Sequence, residues 1–178
     1  AYAASFGMPA IPEQHKSRFA AAIYDMAHVS VREEQGARIV KELTGREVPV
    51  VLDPTLLLTA EEWEQIELKP VWYTQTEEEK YVLTYFLGQR PNIVETIAER
   101  KGLRCIHLLD NTVFNHYTVS PQEFIYLIHH ASLIYTDSFH GTVFSILFRK
   151  PFVVCDRVEK RAYSMNSRID TLLNLCRI

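Results

Sequence analysis

The second half of this chain alternates short apolar runs with segments of helical periodicity, and no other feature restricts the fold as strongly. Tyr81 to Leu87 reads as a strand stopped by Gly88, Ile93 to Arg100 as a helix closed by Gly102, and Arg104 to Leu109 as the next strand. Ser120-Pro121-Gln122-Glu123 opens a helix with a capping serine, proline at the first helical position and glutamate at the third. A strand at Leu133 to Tyr135, a helix at Phe139 to Phe148, a strand at Phe152 to Cys155 and a final helix at Ile169 to Leu175 complete the series. Strands separated by helices do not pair through tight turns, so a mainly parallel sheet covered on both faces is expected.

The first half carries a shorter version of the same pattern. A strand ending near Ser5 precedes helical periodicity over Ser17 to Met26, a short strand His28 to Val31, a helix Glu33 to Leu43 stopped by Gly45, and a strand Val48 to Leu52 broken by Asp53-Pro54. From Leu56 to Lys80 the character changes. Thr59 and Glu62 form a capping-box pattern for a short helix with Trp63 and Ile66, while Pro70 and Glu77-Glu78-Glu79 read as a solvated connector. The pattern predicts an α/β protein of two Rossmann-like lobes: a partial N-terminal lobe over 1–58, a connector over 59–80 and a C-terminal lobe over 81–178. The chain starts at Ala1 inside a small-residue run, without an initiator methionine, so the front of the first lobe is expected to lie upstream.

Chemistry is expected at one join. Thr136-Asp137-Ser138-Phe139-His140-Gly141-Thr142 sets polar groups between an apolar strand and an apolar helix. Asp137 or Ser138 can cap that helix, whose first N–H groups and dipole suit an anion. His140 in the first turn can carry a proton near neutral pH, and Gly141 would let a ligand approach the backbone. The plainer alternative is that Ser138 only caps and His140 is structural.

Composition narrows the partners. Lys and Arg number 19 against 22 acids, a net charge of −3, with no basic stretch to track a phosphate backbone, so nucleic acid is not expected. No apolar run reaches the ~18 residues of a membrane span. Cys105, Cys155 and Cys176 are widely spaced and fit buried thiols in a reducing, cytoplasmic compartment. There is no G-x-G-x-x-G after a strand, no P-loop and no G-x-S-x-G elbow, so no cofactor is indicated. His129-His130 follows an apolar helix without a carboxylate or cysteine at ligand spacing; a helix-end role is expected there, and no metal site.

With these residues assembled, the chain resembles the polysaccharide pyruvyl transferase family. The matching pieces are Tyr2-Ala3-Ala4-Ser5-Phe6-Gly7, Ser30-Val31-Arg32-Glu33 with Gly36, Leu52-Asp53-Pro54-Thr55-Leu56-Leu57, Ser120-Pro121 with Glu123-Phe124, the block Thr136 to Ser145, Lys150-Pro151-Phe152, and Asn166-Ser167-Arg168-Ile169 with Leu172-Leu173. The resemblance implies two lobes like those of GT-B glycosyltransferases, with the site in the cleft between them. It implies transfer of an enolpyruvyl group from phosphoenolpyruvate to a sugar, free or lipid-linked, giving a pyruvate ketal and phosphate. Such work belongs to cell-surface or exopolysaccharide synthesis in the cytoplasm or at the inner face of the membrane.

On that footing His140 is the expected general acid or base, and Arg32 the bidentate grip on carboxylate or phosphate. Glu33 would orient Arg32 or accept a hydroxyl proton. Ser138, Gly141 and Thr142 would bind substrate, and Arg157, with Lys160 and Arg161, would steer anions. Two other readings stay open: a GT-B glycosyltransferase using a nucleotide sugar, and a non-catalytic lobe whose uncovered apolar surface favours self-association.

Overall fold

The computed structural model describes residues 1–74, 79–157 and 167–178. In chain order the elements are α1 (Glu13–Tyr24), α2 (Glu34–Thr44), a 3₁₀ turn (Pro54–Leu57), α3 (Ala60–Glu64), β1 (Tyr81–Tyr85), α4 (Ile93–Arg100), β2 (Arg104–Leu108), α5 (Phe114–Tyr117), α6 (Pro121–His129), β3 (Leu133–Thr136), α7 (Phe139–Leu147), β4 (Phe152–Val154) and α8 (Ser167–Cys176). Glu77 and Glu78 of the acidic triplet, together with Lys160, Arg161 and Asn166, lie outside the described residues.

The chain forms two compact units, Ala1–Leu57 with Glu159–Ile178, and Leu58–Val158. This division differs from the expected one at two places, for packing reasons. The connector belongs to the second unit because Trp63, Trp72 and Tyr73 pack into its main core. The C-terminal helix belongs to the first because α8 packs against α2 and buries Ile169 and Leu172.

In the second unit four strands run parallel in the order β2-β1-β3-β4. Side chains alternate across a strand, and β1 shows the consequence. Tyr81 and Leu83 join the core built with Leu127, Ile128 and Phe144 from α6 and α7. Val82 points to the other face and joins Val94 and Ala98 from α4. The sheet is therefore covered on both sides, as a parallel sheet requires. Tyr81 is buried with its hydroxyl donating to the Leu127 carbonyl at 2.7 Å, and burial raises its pKa. Both capping boxes read from sequence form: Thr59 with Glu62, and Ser120 with Glu123.

In the first unit the three expected strands are reduced to isolated parallel bridges, Ala4 to Val31 and Val31 to Val50. Val31 lies in the middle and is fully buried, with Ile23 and Val40 from α1 and α2 packed beside it. The carboxyl edge of this small sheet carries Ser5 to Gly7, Arg32 with Glu33, and Asp53.

One buried carboxylate organises the carboxyl edge of the larger sheet. Asp137 accepts from the backbone N–H of Leu87 at 2.7 Å and of Gly88 at 2.8 Å, and pairs with the Arg157 Nε at 3.1 Å. The Arg157 fork also donates to the Asp137 carbonyl at 3.0 Å. A Cβ on Gly88 would stand 2.8 Å from the Arg157 side chain, so the loop after β1 accepts only glycine at that distance. The side chains of Asp137 and Arg157 are 1% and 9% exposed, which puts the pair among those that are costly to break. Asp137→Asn should lower stability by roughly 3–5 kcal/mol, because it strands a buried guanidinium. The urea midpoint at constant m-value reads this directly.

Candidate active site

Open α/β sheets bind ligands beyond the carboxyl ends of their strands, where the strand order reverses. Here the chain passes from β1 to β2 on one side and returns to β3 on the other, so the reversal lies between β1 and β3. Thr136 ends β3 at that point, and Asp137, Ser138 and α7 follow immediately.

The join is built largely from internal contacts. The Thr136 hydroxyl donates to the Tyr85 carbonyl at 2.6 Å and accepts from the Ser138 N–H at 3.0 Å. Ser138 caps α7, its hydroxyl accepting from the Gly141 N–H at 3.3 Å. Thr142 is fully buried and returns its hydroxyl to the Ser138 carbonyl at 3.0 Å. A Cβ on Gly141 would stand 2.5 Å from the Thr136 hydroxyl, so this glycine lets helix and strand approach each other; the room expected for a ligand is filled by Thr136. The exposed member of the segment is His140.

His140 lines a pocket of about 320 Å³ with Tyr85, Leu108, His116, Tyr117 and Ser120. Tyr85 and Leu108 end β1 and β2, so the pocket opens at the carboxyl edge of the sheet. Burial, with the charge of Asp137 added, raises the pKa of the Tyr85 phenol. Burial lowers that of His116, whose Nδ1 has no hydrogen-bond partner among the described residues. His107, next to the pocket residue Leu108 on β2, is also lowered by burial and by Arg90, and its Nδ1 meets the Thr84 hydroxyl at 2.8 Å.

Arg32 and Glu33 stand together in the first unit, but they do not partner each other. Arg32 pairs with the buried carboxylate of Asp53. Asp53 also accepts from Thr55, N–H at 3.0 Å and hydroxyl at 2.6 Å, so it holds both Arg32 and the turn that follows. Glu33 is 1% exposed, and its Oε1 accepts from the Phe6 N–H at 2.8 Å, the Ser5 hydroxyl at 3.1 Å and the Gly7 N–H at 3.4 Å. Asp53, not Glu33, orients the arginine. An apolar cavity of about 410 Å³ lies elsewhere in this unit, walled by Ile11, Phe19, Ile23 and Val40 among others, and its lining is almost wholly apolar.

A family model described as polysaccharide pyruvyl transferase matches residues 1–157. The chain belongs to the polysaccharide pyruvyl transferase family. No curated protein and no solved structure matches it. Family membership makes the chain a transferase, and every residue singled out in the sequence as a site candidate, apart from Lys160 and Arg161, falls within the matched span. Among the described residues no helix is long and apolar enough to cross a membrane. The three cysteines are free, and burial raises the pKa of Cys105 and Cys155.

Sequence reasoning passed over Tyr85, His116 and Tyr117. A signal was available: Asn111 to Tyr117 follows a strand directly in a β/α alternation, and loops in that position carry ligand groups in such sheets. Its short helix α5 has too few residues to show a period.

The lowered His107 and His116 imply a pH dependence whose sign is fixed. Both are neutral-favouring in the folded chain, whereas the unfolded chain takes up protons near the ordinary value of ~6.5. Stability is therefore present above that value and lost as pH falls from it through the folded values. Urea midpoints at about pH 7.5 and about pH 5.5 should show the loss, and His107→Asn should reduce it.

Proposed function

We propose that this transferase moves a pyruvyl group from phosphoenolpyruvate to two hydroxyls of a saccharide, with His140 as the proton carrier. The observation that carries the reading is the position of His140, exposed in the first turn of α7 on the rim of a largely apolar pocket at the carboxyl edge of the sheet, where His116, Tyr85, Tyr117 and Ser120 supply the polar groups. In the reaction one sugar hydroxyl adds to C2 of the donor while C3 takes a proton and becomes the methyl group. The C2–O bond to phosphate then breaks, and the second hydroxyl closes the ketal. Of the two hydroxyl protons, one ends on C3 and the other leaves with phosphate. A histidine at the rim suits both transfers, because its ordinary pKa lies near neutrality.

Arg32 is the proposed grip on the donor carboxylate or phosphate, its planar fork held in orientation by Asp53. Glu33 has an indirect part in this proposal: it holds Ser5 to Gly7 at the same edge. Ser138, Gly141 and Thr142 set the start of α7 from within, and Arg157 holds the neighbouring loop through Asp137. The product class fits a ketal-bearing cell-surface or exopolysaccharide.

Phosphoenolpyruvate should raise the melting temperature while a nucleoside diphosphate leaves it unchanged, since only a ligand that prefers the folded state stabilises it. The reverse pattern would replace the pyruvyl donor with a nucleotide sugar. His140→Ala should lower phosphoenolpyruvate-dependent phosphate release by roughly 10²–10⁴-fold with an unchanged melting temperature; an unaltered rate removes His140 from the chemistry. Arg32→Lys should weaken donor binding in calorimetry although the charge is kept, because Lys lacks the fork.

A further inference from the structure

The fold supplies the carboxylate that the sequence around His129-His130 lacks. Glu67 lies just beyond α3, and its Oε2 is 2.9 Å from His129 Nδ1 while its Oε1 is 3.3 Å from His130 Nε2. One donor atom from each of the three residues lies within 4.8 Å of the others. From this arrangement we propose a divalent transition-metal site formed by Glu67, His129 and His130, with zinc as the fitting ion and water completing the coordination.

The donor set suits that ion: imidazole nitrogen with carboxylate oxygen is a zinc combination, and three protein ligands leave a position open. Zinc bonds of about 2.0–2.1 Å to tetrahedral ligands put those ligands roughly 3.3 Å apart. The nitrogen-to-oxygen separations in the cluster are already close to this, so binding asks for small side-chain movements.

The ligands are also held in place. His129 ends α6 and stacks on Phe148 with ring centroids 4.5 Å apart; His130 stacks on Tyr126 at 4.2 Å. The segment carrying Glu67 is tied to α6 by the Leu68 N–H, which donates to the Gln122 carbonyl at 3.2 Å. Glu64 Oε1 stands 3.6 Å from His129 Nε2, the ring nitrogen that Glu67 does not meet. That is where an outer carboxylate receives the second ring N–H of a metal-bound histidine, fixing its tautomer. His130 is exposed, which leaves a path for the ion to enter.

The location argues for a structural ion. His130 precedes β3 by a few residues, so the cluster lies at the amino ends of the strands, whereas His140 and its pocket lie at the carboxyl ends. A bound ion would pin the segment after α3 to the end of α6.

The test is zinc titration by calorimetry of the 178-residue chain after chelator treatment, with melting temperatures recorded in parallel. One zinc ion per chain should bind, and saturation should raise the melting temperature. Glu67→Gln, which keeps the shape but removes the anionic ligand, should weaken affinity more than about 100-fold. Glu64→Gln should weaken it about 10–100-fold, the usual loss for an outer-shell partner. His130→Gln, at an exposed position, keeps the question open to a decision if Glu67→Gln does not fold. Absence of saturable binding overturns the proposal, and so does stoichiometric binding that Glu67→Gln and His130→Gln leave unchanged, which would place the ion elsewhere.

Discussion

The second unit depends on one buried carboxylate. Asp137 sits where β3 gives way to α7 and receives two backbone N–H groups from the loop after β1 and the guanidinium of Arg157 beyond β4. These contacts join three segments that leave the same edge of the sheet. A buried charge is tolerated only when its oxygens are matched by donors, and here each oxygen has one or more. The result is a rigid rim from which α7 starts at a defined place, carrying His140 with it. Preorganisation of this kind would serve the proton transfer proposed for His140, since misplacement of a reacting group costs rate.

The same logic appears on a smaller scale in the first unit. Val31 bridges its two neighbours at the centre of a minimal parallel sheet, and the residues just beyond it are the charged pair Arg32 and Glu33. Each finds its own partner, Asp53 for the arginine and the Ser5 to Gly7 loop for the glutamate. In both units charged and polar groups gather just past the carboxyl ends of the paired segments, the edge that open α/β sheets leave to polar groups.

Much of this was legible in the chain. The helix over Ile93–Arg100 begins and ends where periodicity and Gly102 put it, and the capping boxes at Thr59 and Ser120 form as their spacing implies. The join at Thr136 to Thr142 was recognisable, with Ser138 as the cap. Less legible was how its atoms are used. Gly141 looked like room for a ligand, and Thr136 fills that room. Trp63, Trp72 and Tyr73 looked like parts of a connector, and they are core. The pocket residues His116 and Tyr117 gave only the weak signal of a polar loop after a strand.

The sequence by itself determined the elements, their caps and stops, the parallel α/β class and the family, because these rest on periodicity and on contacts between residues a few positions apart. Only the tertiary structure decided which charges meet. Arg157 reaches Asp137 across 20 residues, Arg32 reaches Asp53 across 21, and His129 reaches Glu67 across 62. Those meetings depend on strand order and on which face each helix covers, and local preference contains neither. The same physics made an expected helix-end pair of histidines into a cluster with a carboxylate: the end of α6 was readable, but the segment packed against it was not.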